Sequence, residues 1–122
     1  MIVGNLADWV MEHRRGRAFQ GWTFGQVVLE LDKAIEAGTL CYTCDERKNV
    51  TGVAVAVKND EEKTVEVIAI LTISPHALPQ MARFYKKHLS DYDVITHDRH
   101  GNKVRQTTDK FIERLMNYGR RT

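Results

Sequence analysis

The stretch that decides the fold is residues 64–73, which read TVEVIAILTI. From Val67 to Ile73 the side chains are almost continuously apolar, with Thr72 as the one polar interruption. β-branched residues dominate the stretch, which favours a pleated strand. An unbroken apolar run of this length is typical of a strand that is buried on both faces. We therefore predict that residues 64–73 form the central strand of a sheet that helices cover.

Two more strands are predicted before this one, over residues 39–45 and 50–58. The second alternates valine with alanine, so that Val53 and Val55 share one face. The connections between the three strands are short and polar, and such connections usually join antiparallel neighbours. The sequence therefore predicts an antiparallel three-stranded meander.

The period changes to that of a helix before the meander. Residues 5–14 carry one apolar stripe, and Asn5 is a candidate N-cap. Residues 23–37 begin with a capping-box pattern, Thr23 followed three residues later by Gln26. Gly38 then stands where a C-terminal glycine cap belongs.

After the meander, two further helices are predicted over residues 79–90 and 109–118. Pro79 suits the first turn of the former, and Asp109 and Gly119 are the expected cap and stop of the latter. Residues 93–107 between them predict a strand or a hairpin. Strands enclosed by helices at both ends indicate an α+β protein, and residues 1–122 fit a single domain.

Composition limits the classes of protein. The chain is 43% hydrophobic and 28% charged, and no apolar run approaches the roughly 18 residues that span a bilayer. Its first residues do not read as a secretory signal. These features predict a cytoplasmic protein that does not enter a membrane.

The net charge of +2 is weak evidence for nucleic-acid binding. Basic residues are nevertheless clustered, and Trp9 and Trp22 flank the first cluster, so the two could together contact bases and phosphates. The plain alternative is a solvated loop and a frayed tail, with the tryptophans in the core. The candidate residues for contact with nucleic acid or with an acidic protein are Arg14, Arg15, Arg17, Arg120 and Arg121.

The two cysteines, Cys41 and Cys44, are too few for a disulfide framework. They fall in a predicted strand rather than at a helix N-terminus, where a redox pair would have a lowered thiol pKa. A zinc site would need two more ligands, for which His97 and His100 have suitable spacing. We predict instead that His97–Gly101 is the polar turn of a hairpin and that the chain holds no metal.

The order of two helices, a three-stranded meander, a helix, a strand and a helix resembles the GNAT (N-acyltransferase) superfamily over residues 5–119. The chain is most similar to the short, reduced GNAT-like proteins of bacteriophages. It departs from the family at residues 72–81, TISPHALPQM, where the family has a glycine-containing loop that holds pyrophosphate. This stretch has no glycine, and its two prolines each remove a backbone N–H donor. The family's first strand and last strands also have no counterpart.

The resemblance implies acyl-coenzyme A as cofactor and a small-molecule or protein amine as acceptor. It implies that Glu66 acts as a base and that Ser74 or Tyr85 assists the leaving thiolate. Each of these side chains also has a plain structural interpretation, such as a core aromatic for Tyr85. The implied cofactor-binding residues are Ile70, Leu71, Thr72 and His76.

Two other functions remain open from the sequence. The chain could be a GNAT-like protein without catalysis, acting as an interaction module toward a protein partner or a second copy of itself. In a bacteriophage such a protein would lie in the host cytoplasm or the virion. It could also be a small nucleic-acid-binding protein.

Overall fold

The computed structural model describes residues 2–99 and 101–120. Within them the chain is α+β, as predicted, with four helices and a five-stranded mixed sheet. No helix in these ranges is long and apolar enough to cross a membrane. In chain order the elements are α1 Ile2–His13, α2 Phe24–Ala37, β1 Cys41–Cys44, β2 Val50–Asn59, β3 Thr64–Thr72, α3 Ala77–His88, β4 Val94–Arg99, β5 Asn102–Thr107 and α4 Thr108–Arg120.

The sheet has the order β1-β2-β3-β4-β5, so β3 is central, as its apolar run predicts. β1, β2 and β3 are antiparallel neighbours and form the predicted meander. α3 then carries the chain back so that β4 pairs parallel to β3. Residues 93–107 form a hairpin, because β5 returns antiparallel to β4.

Helices cover both faces of the sheet. α1 and α2 pack on the face that carries Val53 and Val55. α3 and α4 pack on the opposite face, against Ala54 and Ala56 of the same strand. The valine and alanine alternation of β2 therefore separates the two cores, since successive side chains of a strand point to opposite faces.

β3 changes faces along its length. Val55 pairs with Ala69 but Ala56 pairs with Val67, so Ile68 is an extra residue and forms a β-bulge. Val67 packs with α3 and α4, whereas Ile68 and Ala69 pack with α1 and α2. The bulge explains why the apolar run of this strand shows no simple alternation.

The capping signals of α2 are confirmed. The Gln26 N–H donates to the Thr23 hydroxyl oxygen over 3.1 Å, and the Thr23 N–H donates to the Gln26 side chain over 2.8 Å. Gly38 ends the helix in the left-handed region, with a φ of 73°. A local pattern predicts these features well because all their partners lie within a few residues.

Other helix boundaries differ from the prediction. α1 begins at Ile2, so Asn5 lies inside it and is not its N-cap. α3 begins at Ala77, two residues before Pro79. At the start of α4 the Lys110 N–H donates to the Thr107 hydroxyl over 3.3 Å, so Thr107 rather than Asp109 supplies the cap. α4 also continues past Gly119 to Arg120.

Candidate binding cleft between β3 and β4

The β3–β4 cleft is a V-shaped gap in the sheet. β3 and β4 pair over three residues only, ending at Glu66 opposite Thr96, and then separate. Beyond that point β3 stays paired with β2, and β4 stays paired with β5. The gap has a volume of about 440 Å³ at its wide end and about 190 Å³ at its vertex. Its walls are residues 66–70, Thr96, His97, Lys103 and residues 15–18 of the α1–α2 loop.

One wall of the cleft is an exposed strand edge. The Ile73 N–H donates to the Thr51 carbonyl of β2 over 2.9 Å. Because ladder bonds alternate along an antiparallel pair, Leu71 turns its backbone groups toward β2, and Ile70 and Thr72 turn theirs toward the cleft. The cleft therefore presents main-chain donors and acceptors that an extended ligand could bind.

A strap, residues 15–18, crosses the wide end of the cleft. At one side, Arg15 Nη2 donates to the Thr72 carbonyl of β3 over 3.0 Å. At the other side, the Arg17 guanidinium lies against Gly101 in the β4–β5 turn. Its atoms are 3.0–3.2 Å from the point where a Cβ on Gly101 would stand. The strap thus connects the ends of the two separated strands.

The strap is held by a compact loop. Arg14 Nη1 donates to the carbonyls of Phe19 over 3.3 Å and Trp22 over 2.6 Å. Phe19 is buried and meets the Trp22 ring edge to face, with ring centroids 5.1 Å apart. Arg14 therefore has a structural role here, which does not fit its prediction as a partner contact.

The vertex of the cleft is lined by side chains that can accept or donate a proton. Glu66 Oε2 forms an ion pair with Lys103 Nζ at 2.7 Å. His97 is half-buried, and its Nε2 lies 2.9 Å from Gln106 Oε1. Since an amide oxygen only accepts, Nε2 donates, and Nδ1 of the neutral ring carries the lone pair.

The sequence predicts a polar turn that begins at His97 and gives this residue no catalytic role. β4 continues to Arg99, so His97 lies in a strand with its ring 5.1 Å from the Phe111 ring of α4. Its spacing of two from the buried Ile95 places it on the same face and was the available signal. His100 lies outside the described residues.

Ser74 and His76 lie outside the cleft. They line a separate open groove of about 610 Å³ between the β1–β2 turn and the start of α3. The N–H groups at this helix start are engaged: that of His76 donates to the Ser74 hydroxyl over 3.3 Å, and that of Ala77 to the Ser74 carbonyl over 3.1 Å. Leu78 N–H reaches the Pro75 carbonyl at 3.4 Å, and Pro79 has no N–H. This helix start therefore does not fit the pyrophosphate of coenzyme A.

Tyr85 lies in the core between α3 and α4, with its ring 5.5 Å from that of Phe111. It is fully buried, and its hydroxyl has no hydrogen-bond partner among the described residues. Burial and, to a lesser extent, the nearby Cys41 raise the pKa of this phenol far above its ordinary value. The prediction that Tyr85 assists a leaving thiolate does not fit this position.

The remaining candidates do not form a site. Trp9 and Trp22 are half-buried against the α1 and α2 core rather than displayed for stacking. Arg120 is the last residue of α4, and Arg121 lies outside the described residues.

Both cysteines are free, and burial raises the pKa of the Cys41 thiol to about 12. Within residues 2–99 and 101–120 no three histidine, cysteine or carboxylate side chains come together to hold a metal.

Comparison with known proteins does not identify the class of this protein, so the class is taken from the fold. The chain matches no protein-family model, no curated protein and no solved structure. The fold itself defines an α+β protein whose helices cover both faces of a mixed sheet, with one parallel strand pair that separates after three residues. The functional proposal therefore depends on the geometry of this cleft.

Proposed function

We propose that the chain is a GNAT-like N-acyltransferase that takes an acyl group from acyl-coenzyme A and transfers it to an amine. The observation that carries the proposal is the separation of β3 from β4 after Glu66, which leaves an unpaired strand edge at Ile70 and Thr72. The bulge at Ile68 supports it, because a β-bulge disrupts the ladder and bends the strand at that point. The order of helices and strands agrees with the same family resemblance.

Binding begins at the strand edge in this proposal. Ile70 and Thr72 offer main-chain groups to the amides of the pantetheine arm, as an edge strand does to an added strand. Arg15 now donates to the Thr72 carbonyl, and a pantetheine amide would have to replace it there. Leu71, whose backbone groups face β2, is buried in the core with α1 and α2 and does not line the cleft.

An acyl group on that arm would lie at the vertex, which His97 and Glu66 line. His97 Nδ1 accepts the proton that the amine loses as its nitrogen bonds to the acyl carbon. His97 would then return that proton to the sulfur as the carbon–sulfur bond breaks. Glu66 Oε2 already accepts from Lys103 Nζ at 2.7 Å, so the proposal gives the proton transfer to His97 and not to Glu66.

Two measurements test this function. Acetyl-coenzyme A should stabilise the protein, by about 2.7 kcal/mol at 100 times the dissociation constant. His97→Ala should retain this binding but lose turnover by a factor on the order of 10²–10⁴, measured as thiol release with a panel of amines. The matched control is His88→Ala, because His88 is exposed on α3, on one face of the sheet and away from the cleft walls. No stabilisation at millimolar ligand, or equal losses in the two variants, would contradict the proposal.

One observation favours a second function, an interaction module of the same fold without catalysis. The N–H groups of residues 76–78 are already engaged, and Pro79 has none, so α3 offers little to a pyrophosphate. Loss of that contact would weaken coenzyme A binding. This alternative predicts that acetyl-coenzyme A leaves the melting temperature unchanged while size-exclusion chromatography shows self-association or a stable partner complex.

A further inference from the structure

The outer surface of α2 carries apolar side chains that the fold leaves uncovered. Six large hydrophobic side chains are exposed among the described residues, and α2 contributes three of them, Phe24, Leu29 and Ile35. Tyr42 of the edge strand β1 lies on the same side of the sheet, because its neighbour Cys41 packs with α3 and α4. α3 and the described part of α4 contribute none of the six. Exposed apolar side chains that gather on one helix mark an interaction surface.

Two acids lie among the apolar side chains of α2. With about 3.6 residues per turn, Asp32 and Glu36 fall between Leu29 and Ile35 around the helix. Both acids are exposed, and neither takes part in the ion pairs that form within the described chain. We define the α2 surface as Phe24, Leu29, Asp32, Ile35 and Glu36. This surface is therefore both apolar and negatively charged.

The outer surface of α3 carries the opposite charge on the opposite face of the sheet. α3 contains no acid, and its lysines and arginine are all exposed. We define the α3 surface as Arg83, Lys86 and Lys87. Arg83 and Lys87 are four residues apart, as Asp32 and Glu36 are, and side chains at this spacing are neighbours on a helix. The described side chains of α4 carry two acids and two bases, so they leave this face positive.

We propose that copies of this chain associate through unlike faces, with the α2 surface of one copy docked on the α3 surface of the next. The two charge pairs then meet with opposite sign, which orients the docking. The aliphatic stems of the arginine and lysine side chains cover Leu29 and Ile35 while their charged ends reach the acids. Docking of α2 on α2 would instead oppose Asp32 and Glu36 to their own copies, and juxtaposed like charges disfavour association.

The fold makes this contact repeatable. α1 and α2 cover one face of the sheet, and α3 and α4 cover the other, so a bound pair leaves one α2 surface and one α3 surface free. A contact between different surfaces builds a ring where its rotation closes and an open row where it does not. Neither surface contains a wall residue of the β3–β4 cleft, so the association does not depend on acyl transfer.

Sedimentation velocity of the full chain over a concentration series tests the association. At low salt the mean mass of the wild type should rise with concentration above the 14.0 kDa of the monomer. In about 1 M salt it should fall back toward the monomer, because the Debye length there is about 3 Å and exposed charge pairs are screened. This measurement needs no variant.

Two charge-reversed variants test which surfaces meet. The α2 variant combines Asp32→Lys with Glu36→Lys, and each copy then opposes positive to positive charge. The α3 variant combines Arg83→Glu with Lys87→Glu, which opposes negative to negative. Each variant alone should raise the dissociation constant by about tenfold or more. An equimolar mixture of the two should recover association, because every α2 surface then finds an α3 surface of opposite charge.

The matched control combines Asp8→Lys with Glu12→Lys. These acids are exposed on α1 at the same spacing of four, and they lie outside the α2 surface. The control changes the net charge as much as the α2 variant does, and it should associate as the wild type does. Circular dichroism establishes beforehand that each variant keeps the helix content of the wild type.

Four outcomes would overturn the proposal. A wild type that stays monomeric at about 1 mM, the affinity of a weak interface, leaves the α2 surface to a different, basic partner. Unchanged association in either the α2 or the α3 variant shows that its surface is not in the contact. A folded mixture that stays monomeric, or a loss in the control equal to that in the α2 variant, shows that the two surfaces do not pair.

Discussion

At the scale of single residues, the absence of a side chain at Gly52 allows α3 to pack closely against β2. A Cβ at this position would lie 2.8 Å from Met81 Cε, 2.9 Å from Thr43 Oγ1 and 3.2 Å from Ala77 Cβ. The Thr43 hydroxyl is also held, because it is 2.9 Å from that of Thr51 in a buried pair. Only glycine fits between these neighbours without displacing them.

Gly52→Ala should therefore destabilise the fold by about 1–3 kcal/mol, the usual cost of inserting a methyl group into a filled core. The midpoint of urea unfolding measures the effect. Gly25→Ala is the control, because its Cβ would meet only Thr23 Oγ1 at 3.9 Å and alanine suits a helix better than glycine. Equal stability of Gly52→Ala and the wild type would show that α3 can move away from β2.

Tyr85 carries the second residue-scale prediction. Its buried hydroxyl has no partner among the described residues, and such a group reduces stability. We expect Tyr85→Phe to leave the free energy of unfolding unchanged or to raise it by about 1 kcal/mol. Acyl transfer, where present, should be unaffected. A loss of more than about 1 kcal/mol in urea unfolding would mean that the hydroxyl has a polar partner in solution.

At the scale of elements, local sequence signals specify α2, whereas pairing with neighbouring strands shapes β3. α2 begins and ends at signals that its own neighbours satisfy, Thr23 with Gln26 and then Gly38. β3 is shaped by its partners, since the bulge at Ile68 exists only relative to the register of β2. The bulge moves Ile68 and Ala69 to the α1 and α2 side, and the strand then diverges from β4.

The capping box of α2 gives the element-scale prediction. Thr23→Ala removes the oxygen that accepts the Gln26 N–H and should cost about 1 kcal/mol in thermal or urea unfolding. Thr23→Ser keeps an accepting hydroxyl and should stay within a few tenths of a kcal/mol of the wild type. A serine variant as unstable as the alanine variant would assign the effect to the lost methyl group instead.

At the scale of the whole molecule, the separation of β3 from β4 should be visible in amide exchange. Leu71 donates its N–H within the β2–β3 ladder, whereas the N–H groups of Ile70 and Thr72 face the open cleft. We expect the amides of Ile70 and Thr72 to exchange faster than that of Leu71, since unpaired groups are less protected. NMR-detected hydrogen exchange measures all three in one sample, with Leu71 as the internal reference.

The same experiment responds to the ligand. Acetyl-coenzyme A should slow exchange at Ile70 and Thr72 and leave Leu71 as it was, because the arm would pair with the cleft side alone. Slow exchange at all three positions without ligand would mean that the cleft is closed in solution.

How far the sequence predicts this molecule depends on how local each feature is. The strand predicted over 64–73, observed as Thr64–Thr72, and the cap at Thr23 both follow from residues close to one another. The start of α4 was misplaced because Asp is a stronger cap by type than Thr, whereas the cap that forms is Thr107 at the end of the preceding strand. The contacts of His97 with Gln106 and Phe111 could not be predicted, because those residues lie in other elements.

By itself, the sequence determined the α+β class, the antiparallel meander and the central position of its most apolar strand. Those features follow from side-chain periods of 2 and 3.6 and from caps, which are properties of short segments. The tertiary structure alone decided the cleft, the strap across it and the pairing of Glu66 with Lys103. Each of these depends on the register between segments far apart in the chain, because a one-residue bulge changes which groups face the gap.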